Sequence, residues 1–171
     1  MVDDRSDEIL VATSCTGDKS AYAVLVERHY RHVFAICLGM LADVHDAEDV
    51  AQDAMLKGLL NIADLRKTEQ FGRWILRIAG NLCIDLLRRQ KRTKLATAEN
   101  LAHPRQTTNE NHDLHWAIKR LPGELRVPLV MYYFENKNAK AIAERLNISH
   151  SGACQRIRAA RQQLHELLRE R

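Results

Sequence analysis

The chain has 171 residues, 46% of them hydrophobic, so it can bury the core of one medium domain or two small ones and is not a disordered tail. Its net charge of +4 is unevenly distributed: residues 1–90 hold 11 Lys and Arg against 14 Asp and Glu, whereas residues 91–171 hold 15 against 8. The first part is therefore net −3 and the second net +7. This asymmetry indicates a nucleic-acid contact in the basic part and a different contact in the acidic part.

The N-terminal segment and the cysteines exclude several protein classes. Met1 to Glu8 is acidic and lacks a basic start followed by an apolar run, so no secretory signal is predicted. No stretch approaches the roughly 20 apolar residues of a membrane helix. Cys15, Cys37, Cys83 and Cys154 form no C-x-x-C pair, which argues against a zinc ribbon and against a disulfide framework. We expect a cytoplasmic protein with reduced thiols and no membrane insertion.

The apolar spacing predicts an all-α fold, because Gly and Pro are sparse and no run alternates long enough to form a sheet. Three helices are predicted in the first part. The first runs from Ala21 to about Leu41 and is capped by Asp18 or Ser20. The second begins between Asp43 and Asp46 and ends at about Leu60, and the third runs from Phe71 to roughly Arg92.

A change of composition then predicts a domain boundary. Residues 93–111 are rich in Thr, Asn, His and Gln and poor in large apolar residues, which is typical of a flexible linker. Two small helical domains, 1–92 and 112–171, are therefore expected on either side of it. The second should contain a helix from Leu114 to Leu121, a break at Pro122-Gly123, a helix through Tyr133, a break at Glu135 to Asn138 and two final helices.

The pattern from Ala139 onward predicts a helix-turn-helix. Ile142, Leu146 and Ile148 occupy the buried positions of a first helix and turn, and small Ala143 allows two helices to approach closely. Asn147 suits the left-handed turn position, and Ser149 stands where an N-cap belongs. The alternative is an ordinary helical hairpin.

The second helix of this motif favours DNA binding over the hairpin alternative. Ala153, Ile157, Ala160, Leu164 and Leu167 share its apolar side. The opposite side carries Ser151, Gln155, Arg158 and Gln162, and Arg and Gln pair well with guanine and adenine edges in the major groove. Arg156 and Arg161 flank this side and are expected to bind phosphates.

The third helix has a second basic face, formed by Arg73, Arg77, Asn81, Asp85, Arg88 and Arg92. Trp74 projects from within this polar arc. An aromatic beside arginines suits stacking on unpaired bases. The alternative is that Trp74 covers the small core against a neighbouring helix.

Several motifs together resemble a known family. The segment Asp46 to Met55, followed by Phe71-Gly72-Arg73-Trp74-Ile75, Arg77-Ile78-Ala79, Asn81-Leu82, Asp85 and Arg88-Arg89, resembles domain two of bacterial sigma factors. The stretch from Leu121-Pro122 through Arg161-Gln162 resembles sigma domain four. The short connection between them is similar to that of the extracytoplasmic-function class. The resemblance implies an RNA polymerase subunit that selects promoters and helps to open them.

The resemblance also implies roles for particular residues. The polymerase-binding residues, which dock on the clamp helices of the β′ subunit, would be Asp46, Glu48, Asp49, Gln52 and Asp53. The residues that read and melt the minus-ten element would be Trp74, Arg77, Asn81, Asp85 and Arg88, with the loop Asn61 to Gln70 lining a pocket for a flipped base. The minus-thirty-five residues would be Ser151, Gln155, Arg156, Arg158 and Arg161. The family further implies contact with the β subunit and an anti-sigma partner.

Alternatives to these roles exist. The acidic residues on the second helix could form a solvated face, although Asp46, Asp49 and Asp53 then only repel one another. Leu59 and Leu60 stand where an aromatic residue is usual in the family, which suggests that leucine takes the place of that aromatic in the core. Gly152, Cys154 and Ala159 also depart from the family pattern, so an unusual minus-thirty-five preference is expected.

Other functions can be drawn from the same residues. His29, His32 and Cys37 could serve as metal ligands, but packed core residues are favoured, so no metal and no cofactor are expected. No catalytic constellation is present in the sequence pattern, and no enzyme activity is predicted. The alternatives to a sigma factor are a stand-alone helix-turn-helix regulator and a helical adaptor that binds only protein.

Overall fold

The computed structural model describes residues 3–97, 112–134 and 138–169, and the regular structure within these ranges is helical throughout. The all-α prediction is therefore confirmed. Most of the predicted linker, residues 98–111, and residues 135–137 of the second predicted break lie outside the described residues. The helices are α1 (Asp7–Cys15), α2 (Lys19–Leu41), α3 (Val44–Leu60), α4 (Phe71–Thr97), α5 (His112–Arg120), α6 (Gly123–Phe134), α7 (Ala139–Leu146) and α8 (His150–Arg169), with 3₁₀ turns at Ile62–Asp64 and Thr68–Gln70.

Helix α1 was missed by the sequence prediction, although its first turn carries a readable signal. The Ser6 hydroxyl accepts a hydrogen bond from the N–H of Ile9, and Asp7 and Glu8 lie in the first turn, where the helix dipole favours negative charge. Leu10 and Val11 are fully buried against the following helices. At nine residues the helix is too short to show a clear apolar period, so tertiary packing decides that it forms.

The predicted helices of the first part are found with small changes at their ends. Of the two expected caps of α2, Asp18 is the one used, since its carboxylate accepts from the N–H groups of Ser20 and Ala21. Asp43 caps α3 by accepting from Asp46 N–H. Helix α4 runs beyond the expected end near Arg92 to Thr97, because no Gly or Pro interrupts this stretch.

Gly58 lets α3 pack closely against α2 and α4. A Cβ atom at this position would lie 2.5 Å from Tyr22 Oη and 2.6 Å from Ile75 Cδ1, which is closer than real contacts allow. The Tyr22 hydroxyl donates a hydrogen bond of 2.6 Å to the carbonyl oxygen of Met55, and burial raises the pKa of Tyr22 to about 12. These contacts fix the position of α3 relative to α2 and α4.

Asp7 ties α1 to α2 through the side chains of His29 and Arg28. Its Oδ2 lies 2.6 Å from His29 Nε2, and its Oδ1 accepts from Arg28 Nη1 at 2.9 Å. Burial acts to raise the pKa of Asp7, but the hydrogen bonds from His29 and Arg28 outweigh burial and hold this pKa below its usual value. A depressed folded-state pKa stabilises the fold above the ordinary carboxyl pKa, and the stabilisation is lost as the pH falls through the depressed value.

We therefore expect Asp7→Asn to lower the free energy of unfolding at pH 7 by about 1 kcal/mol. The difference between the variant and the wild type should shrink as the pH falls below about 4, because the carboxyl group of the unfolded chain is protonated first, and it should vanish once the folded-state carboxyl is protonated as well. Urea unfolding followed by circular dichroism at several pH values measures this, with Asp4→Asn as the matched control at an exposed position. A difference that stays constant with pH would contradict the assignment.

The first and second parts of the chain pack against each other, which no sequence pattern predicted. A Cβ atom on Gly39 of α2 would lie 3.3 Å from Val130 Cγ2 of α6. Arg126, almost fully buried, donates to the carbonyl oxygens of Leu121 at 3.0 Å and of Met40 at 3.4 Å. Burial lowers the pKa of Arg126. The side chain thus links α6 to the C-terminal end of α2.

Two more hydrogen bonds join α7 to α4. Arg145 Nη2 donates to the carbonyl oxygen of Arg77 at 3.0 Å, and Arg88 Nη2 donates to the carbonyl oxygen of Arg145 at 3.0 Å. The first helix of the helix-turn-helix therefore lies beside the basic helix of the first part.

Candidate nucleic-acid interfaces and the acidic helix face

Helix α3 presents an acidic outer face. Its inner side packs small residues such as Ala47, Ala51 and Ala54 into the core, which leaves Glu48, Asp49, Gln52 and Asp53 exposed. Asp46, the fifth residue predicted for this face, differs from them. Its Oδ2 accepts from Gln90 Nε2 at 2.9 Å, so it joins α3 to α4.

A cleft of about 600 Å³ opens between α4 and the segment that precedes it. The predicted loop contributes Asp64, Arg66, Lys67 and Gln70, and α4 contributes Arg73, Trp74 and Arg77. The cleft therefore combines one aromatic ring with several cationic donors and one carboxylate. This composition suits a base together with its neighbouring phosphates.

Trp74 combines the two roles that the sequence left open. It is half-buried, its ring centroid lies 5.9 Å from that of Phe71, and its Cζ3 would lie 3.7 Å from a Cβ atom on Gly58. One part of the indole thus packs on the core, and the same side chain lines the cleft. The packing against Phe71 holds the ring in position without an incoming base.

The polar face of α4 continues from the cleft toward the C-terminal end of the helix. Arg73, Arg77, Asn81, Asp85 and Arg88 are all exposed along it. Asp85 Oδ1 lies 3.8 Å from Arg88 Nη1, an i,i+3 pair that contributes little to stability at this exposure but restrains the arginine. A further cavity of about 540 Å³ is lined by Asp85, Arg88, Arg89, Lys91 and Arg92.

The helix-turn-helix forms as predicted. Helix α7 ends at Leu146, and its C-cap residue Asn147 adopts the left-handed conformation with φ 55° and ψ 51°. The Ser149 hydroxyl oxygen accepts from the N–H of Gly152 at 3.0 Å and so caps α8. Ile142, Ala143, Ala153 and Ile157 are buried between the two helices, and Leu146 and Ile148 are partly buried beside them.

The outer side of α8 exposes Ser151, Gln155, Arg158 and Arg161, whereas Arg156 is half-buried. An open cavity of about 780 Å³ beside it is lined by Tyr132, Tyr133, Asn138, Cys154, Arg158 and Arg161. The sequence prediction missed the aromatic part of this surface, formed by Tyr132 and Tyr133, which are 38% and 54% exposed; the next residue, Phe134, is 47% exposed. Three consecutive aromatic residues on a helix cannot all face one core, so the sequence alone already indicated that at least one of them is exposed.

Within the three described ranges, no group of three or more His, Cys, Asp and Glu side chains could hold a metal ion. His29, one of the three conceivable metal ligands, contacts Asp7 and lies edge-on to the Phe71 ring at 5.2 Å. None of the helices in the described part is long and apolar enough to cross a membrane.

Comparisons with known proteins place this arrangement in a family. Residues 25–93 match the family model of Sigma-70 region 2, and residues 117–166 match that of Sigma-70, region 4. The ECF RNA polymerase sigma factor SigW of Bacillus subtilis is 29% identical, with 90% of this chain and 92% of the relative covered. The ECF RNA polymerase sigma factor SigM of Mycobacterium tuberculosis is also 29% identical, over 96% of this chain and 86% of the relative.

Two solved structures share the fold. CnrH in complex with the cytosolic domain of CnrY has a TM-score of 0.58 and 24% identity, with 96% of this chain and 97% of that chain covered. The sigma factor RpoE in complex with the anti-sigma factor NepR, from Bartonella quintana, has a TM-score of 0.60 and 18% identity, with 84% and 94% covered. With both family regions matched in order and relatives aligned over nearly the whole chain, the protein belongs to the sigma-70 family and is an RNA polymerase sigma factor of the ECF type.

Proposed function

We propose that this sigma factor binds core RNA polymerase through the acidic face of α3, and that Glu48, Asp49, Gln52 and Asp53 contact the clamp helices of the β′ subunit. Exposed carboxylates on one helix face repel one another, so a basic partner is the better explanation of their arrangement. Asp46 belongs to the same acidic segment but supports the contact indirectly, through its bond to Gln90.

The cleft beside α4 is proposed to receive a base flipped out of the minus-ten element. The observation that carries this proposal is the half-buried Trp74, held by Phe71 at the edge of a cleft rich in arginine and lysine. Flipping costs a few kcal/mol of stacking, and a preformed aromatic surface recovers part of that cost. Arg77, Asn81, Asp85 and Arg88 would follow the separated strand along the exposed face of α4.

The helix-turn-helix is proposed to bind the minus-thirty-five element. Gln155 and Arg158 would read base edges in the major groove, with Ser151 beside them, and Arg156 and Arg161 would contact phosphates. The division into residues 1–92, a linker at 93–111 and residues 112–171 is part of the same proposal, although α4 continues into the first residues of that linker and ends at Thr97.

The remaining partners follow from this assignment. Domain four would contact the β subunit, and an anti-sigma factor would hold the chain inactive. The structurally similar sigma factor RpoE is bound to such a partner, the anti-sigma factor NepR. The protein would act in the cytoplasm, by binding and not by catalysing a reaction.

A stand-alone helix-turn-helix regulator is the second candidate, because the motif is complete in itself. The two candidates differ in whether the chain needs polymerase. A gel-shift experiment on promoter DNA with and without core enzyme separates them, and we expect a specific complex only when core enzyme is present. Tight, specific binding by the free chain would favour the regulator.

A further inference from the structure

The exposed face of α3 carries apolar residues in addition to its acids. Leu56 is 60% exposed and Leu60 is 80% exposed, one helical turn apart. At about 100° per residue, Asp49, Asp53, Leu56 and Leu60 fall within one narrow arc of the helix. Their spacing of i, i+4, i+7 and i+11 is that of a seam along which a second helix packs.

Folding of the chain does not explain these leucines. The sequence suggested that Leu59 and Leu60 replace a core aromatic of the family. This holds for Leu59, which is half-buried and packs against the core. Leu60 is the most exposed large hydrophobic residue in the described part of the chain. A single exposed leucine needs no explanation, but a pair in line with two acids does.

The acids on the same face restrict what can cover the leucines. A DNA backbone or an anionic membrane surface would be repelled by Asp49 and Asp53, and so would the same face of a second copy of this chain. A helix with basic residues at one end and apolar residues at the other fits both kinds of side chain. A helix that contacts Asp49 and Asp53 along the axis of α3 also covers Leu56 and Leu60.

We propose that Leu56 and Leu60 form an apolar extension of the polymerase-docking face and pack against apolar side chains of the polymerase helix that binds the acids. This inference rests on the proposed function of α3. The two halves of the face then do different work: the carboxylates accelerate association through long-range attraction, and the leucines slow dissociation because breaking their contact must expose apolar surface to water.

The test is the affinity of Leu56→Ala/Leu60→Ala for intact core polymerase at low and high salt. We expect affinity to fall by about tenfold or more, mainly through faster dissociation, and by the same factor at both salt concentrations, since apolar contacts are not screened. For Asp49→Asn/Asp53→Asn, the loss of affinity should instead be larger at low salt than at high salt and should come from slower association, because salt screens the attraction between charges. The matched control is Ile9→Ala, which removes a large hydrophobic side chain that is 52% exposed on α1.

The outcomes separate this inference from the proposed function. If the leucine variant binds like the control while the aspartate variant is weakened, the apolar extension is wrong and the acidic dock stands. If both variants bind like wild type, α3 is not the docking helix. A free chain that dimerises, and becomes monomeric only in the leucine variant, would assign the face to contacts between copies and overturn the inference.

Discussion

Replacing Trp74 with alanine should leave polymerase binding unchanged and reduce promoter opening on fully duplex DNA by roughly ten- to a hundredfold. The size follows from the stacking free energy of one base on an aromatic ring, about 1–3 kcal/mol, which the cleft would no longer supply. Opening is measured by permanganate reactivity of unpaired thymines, and binding by the affinity of the chain for core enzyme.

A template already unpaired across the minus-ten element is the internal control, because it no longer requires the base to leave a duplex. The loss should be much smaller on that template. Trp74→Phe retains a stacking surface and should recover part of the activity. If Trp74→Ala acted only by removing the packing on Phe71, promoter opening would fall equally on both templates. An equal loss of opening on the duplex and premelted templates would contradict a role in base capture.

Reversing the charge of Asp49 and Asp53 to lysine should weaken association with core polymerase by at least about a hundredfold. Each substitution removes an attraction and places a like charge against a basic partner. Both side chains are exposed, so the free energy of unfolding should be nearly unchanged. Association is measured by competition against a reference sigma factor for a limiting amount of core enzyme.

The control for this variant is Glu8→Lys/Glu27→Lys, which changes the net charge equally at exposed positions on α1 and α2. It should bind as the wild type does. If the control is weakened to the same extent, total charge governs association and α3 has no special role. Asp46 is unsuitable for this experiment, because its substitution also breaks the bond to Gln90 between α3 and α4.

Local patterns predicted the local structure well. The left-handed turn at Asn147 and the cap at Ser149 were identified from residue type and position, because each depends on its immediate neighbours in the chain. Helix α1 was missed because nine residues give too little periodicity, and its stability comes from Leu10 and Val11 packing on α2. The extension of α4 to Thr97 shows that a polar composition alone does not end a helix.

Contacts between distant residues could not be predicted in the same way. Arg145 and Arg77 are 68 positions apart, and their hydrogen bond leaves no periodic trace in either segment. The cleft at Trp74 was expected only through the resemblance to sigma factors. The position of Trp74 around the axis of α4 is compatible both with core packing and with base stacking. Exposure distinguishes Leu60 from Leu59, which are neighbours of the same residue type in the sequence.

The bonds between α7 and α4 set a limit on the reach of the chain. Promoter elements centred near positions −10 and −35 are roughly 25 base pairs apart, or about 85 Å along B-DNA. A chain of this length packed as one body has a radius of gyration of only about 15 Å. If α4 and α8 bind the two elements as proposed, the Arg145 and Arg88 bonds, each contributing about 1 kcal/mol, have to break before both elements are bound at once. Polymerase would then set the distance between these two helices.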